Sequence, residues 1–373
     1  MRAATVVRFI GPVRVRVAVA LIVALAALVG SAPAMATFSS KKAIWGPVTL
    51  NGKSEFPVYH TMGVDIFQDD LDWAAIAPTR PHDPTNPNDP AYQWPAELSY
   101  AIGQAKQYHM RVALEFADTP AWASGHTEPT YPPRRLSDLK AFLTAASRRY
   151  PSVHLWLIWG EPTRQATFAI VKPVPPNARR LTKAEARAPH RYAQMLNTAY
   201  GALKGASSKN LIIGGDSYTT GDIPTGLWIK NLRLPDGQPP RMDMYGHNPF
   251  SFRAPNLRNP PSPDHEVDFS DLGRLSKMVD RYLAPHGHVL KLFLSEWCIP
   301  TAPGDIEFNY WVNPAVQAQW ITDAWRIVNR SSFIYALGWI HVYDDPPPGP
   351  GSKSGLFSYN GVPKPGYYAW RNG

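Results

Sequence analysis

The sequence predicts an α/β fold, a (β/α)8 TIM barrel, as a single domain following a signal peptide. Two observations carry the barrel. Eight short apolar segments recur along the chain, and amphipathic helical patterns separate the later ones. A chain of 373 residues is of the size that eight such units closed into a barrel require, which favours the barrel over an open sheet. No G-x-G-x-x-G or P-loop motif follows any strand, so nucleotide binding has no support. A third observation separates the beginning of the chain from the fold: it is basic, then apolar, then rich in small residues.

That beginning, "MRAATVVRFIGPVRVR", carries four arginines and no acids. The apolar run "VAVALIVALAALV" follows, 13 residues and short for a bilayer span, and Ala34-Met35-Ala36 then forms a small-x-small cleavage pattern. We expect a signal peptide at 1–36 and a barrel domain at 37–373, with an uncleaved membrane anchor as the alternative. Removal of 1–36 leaves 337 residues and lowers the formal charge from +9 to +5. Such a mild excess suits a secreted or cell-envelope protein and argues against nucleic acid as a partner. The densest basic stretch, 171–191, is rich in proline and small residues and reads as a solvated loop. No apolar stretch beyond the signal is long enough to span a membrane.

The eight candidate strands are "KAIWGPV", "VDIFQ", "MRVALEF", "HLWLIW", "NLIIGGD", "MDMYGH", "VLKLFLSE" and "IYALGWIHVY". In the fourth, bulky residues occupy both alternating faces, as in a strand buried on both sides, and Pro162 forces a turn soon after. Among the helices, Leu136, Leu139, Leu143 and Ala146 share a face that Pro151 ends. Tyr192, Leu196, Ala199 and Leu203 form another, with Gly205 as a cap, and Leu272, Leu275, Val279 and Tyr282 a third. Asn313 and Pro314 read as an N-cap and first helical residue. The first strand–helix unit is hard to read, because "LNGKSEFPVYHTMG" lacks a helical pattern. Cys298 is the sole cysteine, which leaves no internal disulfide and no thiol-based metal site.

A barrel gathers the C-terminal ends of its strands on one face, where such enzymes place their sites. The residues there include Asp70, Asp118, Glu161, Asp216, His247, Glu296 and Asp344. Glu161 and Glu296 end the fourth and seventh strands, which face one another across the mouth. Two carboxyls so placed suit glycoside hydrolysis, one protonating the leaving oxygen while the other attacks the anomeric carbon or activates water.

At these residues the chain resembles clan A of the glycoside hydrolases, (β/α)8 barrels that include cellulases, mannanases and β-xylosidases. "WGEP" at 159–162 is similar to the clan's "W-N-E-P" acid/base segment, and "SEWC" at 295–298 to its "E-W/F-G" nucleophile segment. "ADTPAWA" at 117–123, "YGHNPF" at 245–250 and "SGLFSYNGVPKPGYYAW" at 354–370 resemble further segments in the same order. The resemblance implies a retaining glycosidase with Glu161 as acid/base, its pKa raised, and Glu296 as a nucleophile kept ionised by hydrogen bonds, the carboxyls roughly 5 Å apart. It implies that Tyr245 and His247 orient the nucleophile or bind sugar. Trp339, His341 and Tyr343 would form a stacking platform, extended by Trp122 and Trp73. No cofactor and no metal is expected, and the substrate is a carbohydrate. Two departures stand out: Gly160 replaces an Asn that in the clan donates to the sugar 2-hydroxyl, and Gln68 stands where many relatives carry Arg. A non-catalytic carbohydrate-binding barrel is the alternative these departures favour.

Overall fold

A computed structural model describes residues 37–175, 177–284 and 288–373. The signal-peptide expectation at 1–36 lies outside the described residues. Strands and helices alternate from β1 (Lys42–Trp45) and α1 (Phe56–Thr61) through β2 (Ile66–Asp72), α2 (Ala96–Gln107), β3 (Arg111–Ala117) and α3 (Leu136–Arg149). They continue with β4 (Leu155–Ile158), α4 (Arg187–Ala206), β5 (Leu211–Tyr218) and α5 (Thr225–Asn231). β6 (Met244–Asn248), α6 (Leu272–Tyr282), β7 (Lys291–Leu294), α7 (Pro314–Arg330), β8 (Ile334–Trp339) and α8 (Pro365–Asn372) complete the chain. Each strand pairs in parallel with its neighbours in sequence, and β8 closes on β1. The predicted (β/α)8 barrel is the fold. Among the described residues no helix is long and apolar enough to cross a membrane.

The first unit was illegible for a local reason. Thr49–Leu50 and Lys53–Ser54 form a small hairpin around Asn51-Gly52, both at positive φ (51° and 74°), as a two-residue hairpin turn requires. The six-residue α1 follows, with Pro57 in its first turn, too short to show a periodic face. Elsewhere the caps behave as read: Asn313 accepts from the Val316 amide at 2.9 Å, and α3 stops two residues before Pro151. Gly205 is an exception, since α4 runs through it to Ala206 and ends on extended Ser207.

Period-two alternation sorts the strands into two apolar clusters. Leu155 and Leu157 of β4 join Ala43, Ile66, Ala113, Ile213, Met244, Phe293 and Ala336 inside the barrel. Trp156 and Ile158 face outward, into the larger cluster under the helices. A fully buried Leu or Ile here contributes roughly 2 kcal/mol. The same alternation, carried two residues further, places polar side chains above that apolar layer. Gln68 follows Ile66 and Glu115 follows Ala113, with Asp70 paired opposite Glu115 in register. The barrel interior is therefore an apolar plug with a polar floor facing the strand ends. A register shift between Gly214 and Ser217 of β5 inserts a bulge there. Gly215 takes φ 97° with the Tyr245 ring against it, so a side chain is excluded, and Asp216 is turned inward until it lies against Gly246.

Candidate active site

Above this floor a cavity of about 510 Å³ opens among the ends of β3, β4, β5 and β7. Glu161 and Glu296 both line it, together with Glu115, Asp118, Arg164, Tyr218, Phe250, Glu307 and Phe308. The backbone turns sharply where chemistry is expected. Trp159 (φ 74°), Glu161 (φ 44°), Asp118 (φ 61°) and Asp216 (φ 30°) all sit in the left-handed region, a cost tolerated where the surroundings dictate it. The left-handed turns flanking Gly160 take Glu161 off the β4 alternation.

One amide ties the Glu161 carboxylate to the Glu296 backbone. Asn248 Nδ2 donates to Glu161 Oε1 at 3.1 Å, and its Oδ1 accepts from the backbone amide of Glu296 at 3.1 Å. Asn248 is buried and ends β6, inside the quoted "YGHNPF" segment, yet the residues singled out there were its neighbours. Gln68 secures the preceding peptide: its Nε2 donates to the Ser295 carbonyl at 2.9 Å, joined by Trp45 Nε1 at 3.2 Å. Gly338 permits this packing, because a Cβ there would stand 2.0 Å from the same carbonyl. Gln68 thus holds the backbone before Glu296.

The electrostatics are acidic. Burial pushes the Glu161 pKa up, while the Arg164 ion pair and the Asn248 amide pull against it. Arg164 lies 4.6 Å over the Tyr218 ring as it reaches Glu161. Glu296 is pushed well above the usual carboxylate range, by burial first and then by Glu161, Glu115, Glu307 and Asp70. Among the described residues no side chain or amide donates to the Glu296 carboxylate, so the expectation of a nucleophile held ionised by hydrogen bonds is not met in the free site. Beneath them, Glu115 and Asp216 are buried and likewise pushed far up, burial leading in both. Glu115 Oε2 and both Asp216 oxygens lack a hydrogen-bond partner among the described residues, and burial favours the protonated over the ionised form of these carboxyls.

The structure gathers Glu161 and Glu296 but leaves the expected sugar-binding residues off the cavity wall. Tyr245 and His247 are fully buried and form a closed chain. The Tyr245 hydroxyl donates to Ser217 Oγ at 3.0 Å, and His247 bonds Ser217 Oγ through Nδ1 and the Val267 carbonyl through Nε2, each at 2.8 Å. Burial lowers the His247 pKa to about 4. This histidine is neutral and structural.

The stacking platform also fails, because β8 ends at Trp339 and His341 takes φ 67°, which breaks the alternation that would align three aromatics. Trp339 is fully buried, edge-on to Trp297 and Trp370. His341 bonds Glu307 at 2.8 Å, and the Tyr343 hydroxyl donates to Glu55 Oε2 at 2.5 Å. Trp73 is buried on Phe142, and Trp122 Nε1 donates to the Ala77 carbonyl at 2.7 Å. Tyr218, Phe250 and Phe308 form the cavity's aromatic side instead, joined by ring contacts of 5.5 and 5.2 Å. Asp344 pairs with Lys364 at 2.9 Å and anchors the closing segment.

Sequence reasoning passed over Glu115, although an acid inside an apolar strand was its signal. Arg164, one helical turn beyond Glu161, offered a weaker one. Cys298, Glu307 and His341 each bring one ligand atom within 4.8 Å of the others, a grouping the thiol count did not suggest. Burial pushes the Cys298 thiol well up, which disfavours the thiolate a metal would need.

No protein-family model and no curated protein sequence matches the chain. Solved structures do. The chain is similar to a family 39 glycoside hydrolase from the gut symbiont Bacteroides cellulosilyticus WH2, with 17% identity and a TM-score of 0.64 over 90% of this chain and 63% of that one. A monomeric beta-xylosidase from Caulobacter crescentus CB15 is similar at 15% identity and TM-score 0.60, over 91% and 67%. Xylanase 10B from Thermotoga maritima is similar at 17% identity and TM-score 0.54, over 88% and 92%. At such identities the likeness establishes the fold, and this chain spans about 63% of the first structure's length.

Proposed function

We propose that this protein is a retaining glycoside hydrolase that cleaves O-glycosidic bonds of a polysaccharide or glycoconjugate. The observation that carries the reading is the joint presentation of Glu161 and Glu296, from opposite sides of the barrel, to one cavity through a shared amide. Glu161 protonates the glycosidic oxygen as the bond to the anomeric carbon breaks, and Glu296 attacks that carbon from the other face. Glu161, now ionised, takes a proton from water as the water displaces Glu296. Asn248 fixes the Glu161 carboxylate relative to the Glu296 backbone throughout.

The proton inventory supports this cycle if substrate completes it. Mutual repulsion and burial favour one proton on the pair, and productive binding puts it on Glu161. Sugar hydroxyls donating to Glu296 stabilise its charge as they displace water. The Arg164 contact to Glu161 opposes protonation, and with Gly160 and Gln68 it favours the second reading, a carbohydrate-binding barrel without turnover.

Azide separates the two. Glu296→Ala should lose turnover, and azide should restore a slow rate with inverted product. Glu161→Ala should spare activated aryl glycosides and, with azide, give retained product. Wild type that binds oligosaccharide but turns over nothing would establish the binding barrel. We also propose export with a mature N-terminus at Thr37, which N-terminal sequencing of secreted material tests. Recovery only as full-length membrane protein would refute it.

A further inference from the structure

Gly160 stands immediately before the proposed acid, and its lack of a side chain has a local cause. Its φ lies outside the left-handed region, so the backbone would accept a side chain. What excludes one is Glu115: a Cβ on residue 160 would meet Glu115 Oε1 at 2.1 Å and its carboxyl carbon at 3.0 Å. The carboxyl of β3 therefore fills the volume that a side chain at 160 would occupy. It lines the cavity beside Glu161 and Glu296. Oε2 is buried without a donor, on a residue more than nine-tenths buried, while Oε1 is the oxygen turned toward Gly160.

A sugar whose anomeric carbon lies between Glu161 and Glu296 carries its nearest hydroxyl on the adjacent ring carbon. Hydrogen bonds to that hydroxyl strengthen as the oxocarbenium-like transition state develops. We propose that Glu115 is a specificity-determining residue whose Oε1 accepts a hydrogen bond from this 2-hydroxyl, in the space a side chain at position 160 would otherwise fill. The inference rests on the glycosidase reading and adds to it a requirement for a 2-hydroxy sugar at the cleaved position. Burial first, and then the neighbouring Asp216, push the Glu115 pKa up and so favour its neutral form.

The test compares aryl glycosides of one sugar with their 2-deoxy analogues. Glu115→Ala should lower kcat/KM on the 2-hydroxy substrate on the order of 10–100-fold, and on the 2-deoxy substrate by only a few-fold. Glu115→Gln, which keeps an acceptor of the same shape, should stay within about fivefold of wild type on both. Gly160→Asn alone should lower thermal stability, whereas Gly160→Asn combined with Glu115→Ala should fold and regain discrimination for the 2-hydroxyl. If Glu115→Ala does not fold, Glu115→Met fills the space without bonding, and its ratio of the two rates serves equally. Equal losses on both substrates, or Gln as damaging as Ala, would overturn the inference while leaving the glycosidase standing. Wild type inactive on every glycoside would overturn the function first, and this inference with it.

Discussion

Replacing Arg164 by Met tests the acid assignment through pH. The guanidinium contacts Glu161 Oε2 at 2.5 Å, and its side chain is 38% exposed against 10% for Glu161. With charge centres about 4 Å apart and an effective dielectric constant near 20, Coulomb attraction is at most about 4 kcal/mol, or roughly three pH units. Exposure of Arg164 and salt screening cut this to about one unit. The sign follows from the role. Arg164 stabilises ionised Glu161, so its removal raises the Glu161 pKa, and a general acid then keeps its proton to higher pH. The alkaline limb of kcat/KM should move up by about one unit in Arg164→Met. The assay is hydrolysis of an aryl glycoside with a poor leaving group between about pH 5 and 9, at two ionic strengths. The position of the limb is read separately from the amplitude, so lost substrate contacts do not confuse it. A limb that stays in place, or moves down, would refute the assignment of Glu161 as the acid.

Three further outcomes follow from the packing. His247 is held neutral with a pKa near 4, below the 6.5 of an unfolded histidine, so the unfolded chain binds the extra proton between those values. Its contribution is complete above pH 6.5 and is lost as pH falls toward 4, about 3 kcal/mol in all; urea unfolding of His247→Gln should lack that slope, and an unchanged slope would refute it. Gly338→Ala would press a Cβ to 2.0 Å from the Ser295 carbonyl and should cost about 3 kcal/mol or more, with activity falling as Glu296 shifts; an unaltered melting temperature would contradict the packing. Cys298→Ser should retain most activity, and iodoacetamide should leave the native protein active, since the thiol is buried and its pKa is raised. Loss of turnover in folded Cys298→Ser would overturn the two-glutamate assignment.

The sequence by itself determined what depends on local pattern. Strand periods, helix faces and the Asn313 cap are properties of neighbouring residues, and they sufficed for eight alternating units. The barrel then converts strand-end positions into proximity, which is why Glu161 and Glu296, far apart in the chain, could be paired in advance. Where the pattern was short, as in α1 and its hairpin, local information ran out.

Only the tertiary structure decided which way the side chains at the strand ends point. Left-handed residues at 159, 161, 216 and 341 interrupt the period-two rule where it would be needed to assign faces. His341 breaks the line of aromatics just beyond β8. In β6 the alternation is unbroken: with Met244 inside the barrel it turns Tyr245 and His247 outward and Asn248 toward the site. Gly160 is the clearest case. In the sequence it is a missing side chain. In the barrel it is a space already occupied, because β3 and β4 lie side by side and Glu115 projects inward beneath the turn. Which neighbour fills such a gap depends on the register between strands, and the register is set by the closure of the whole barrel.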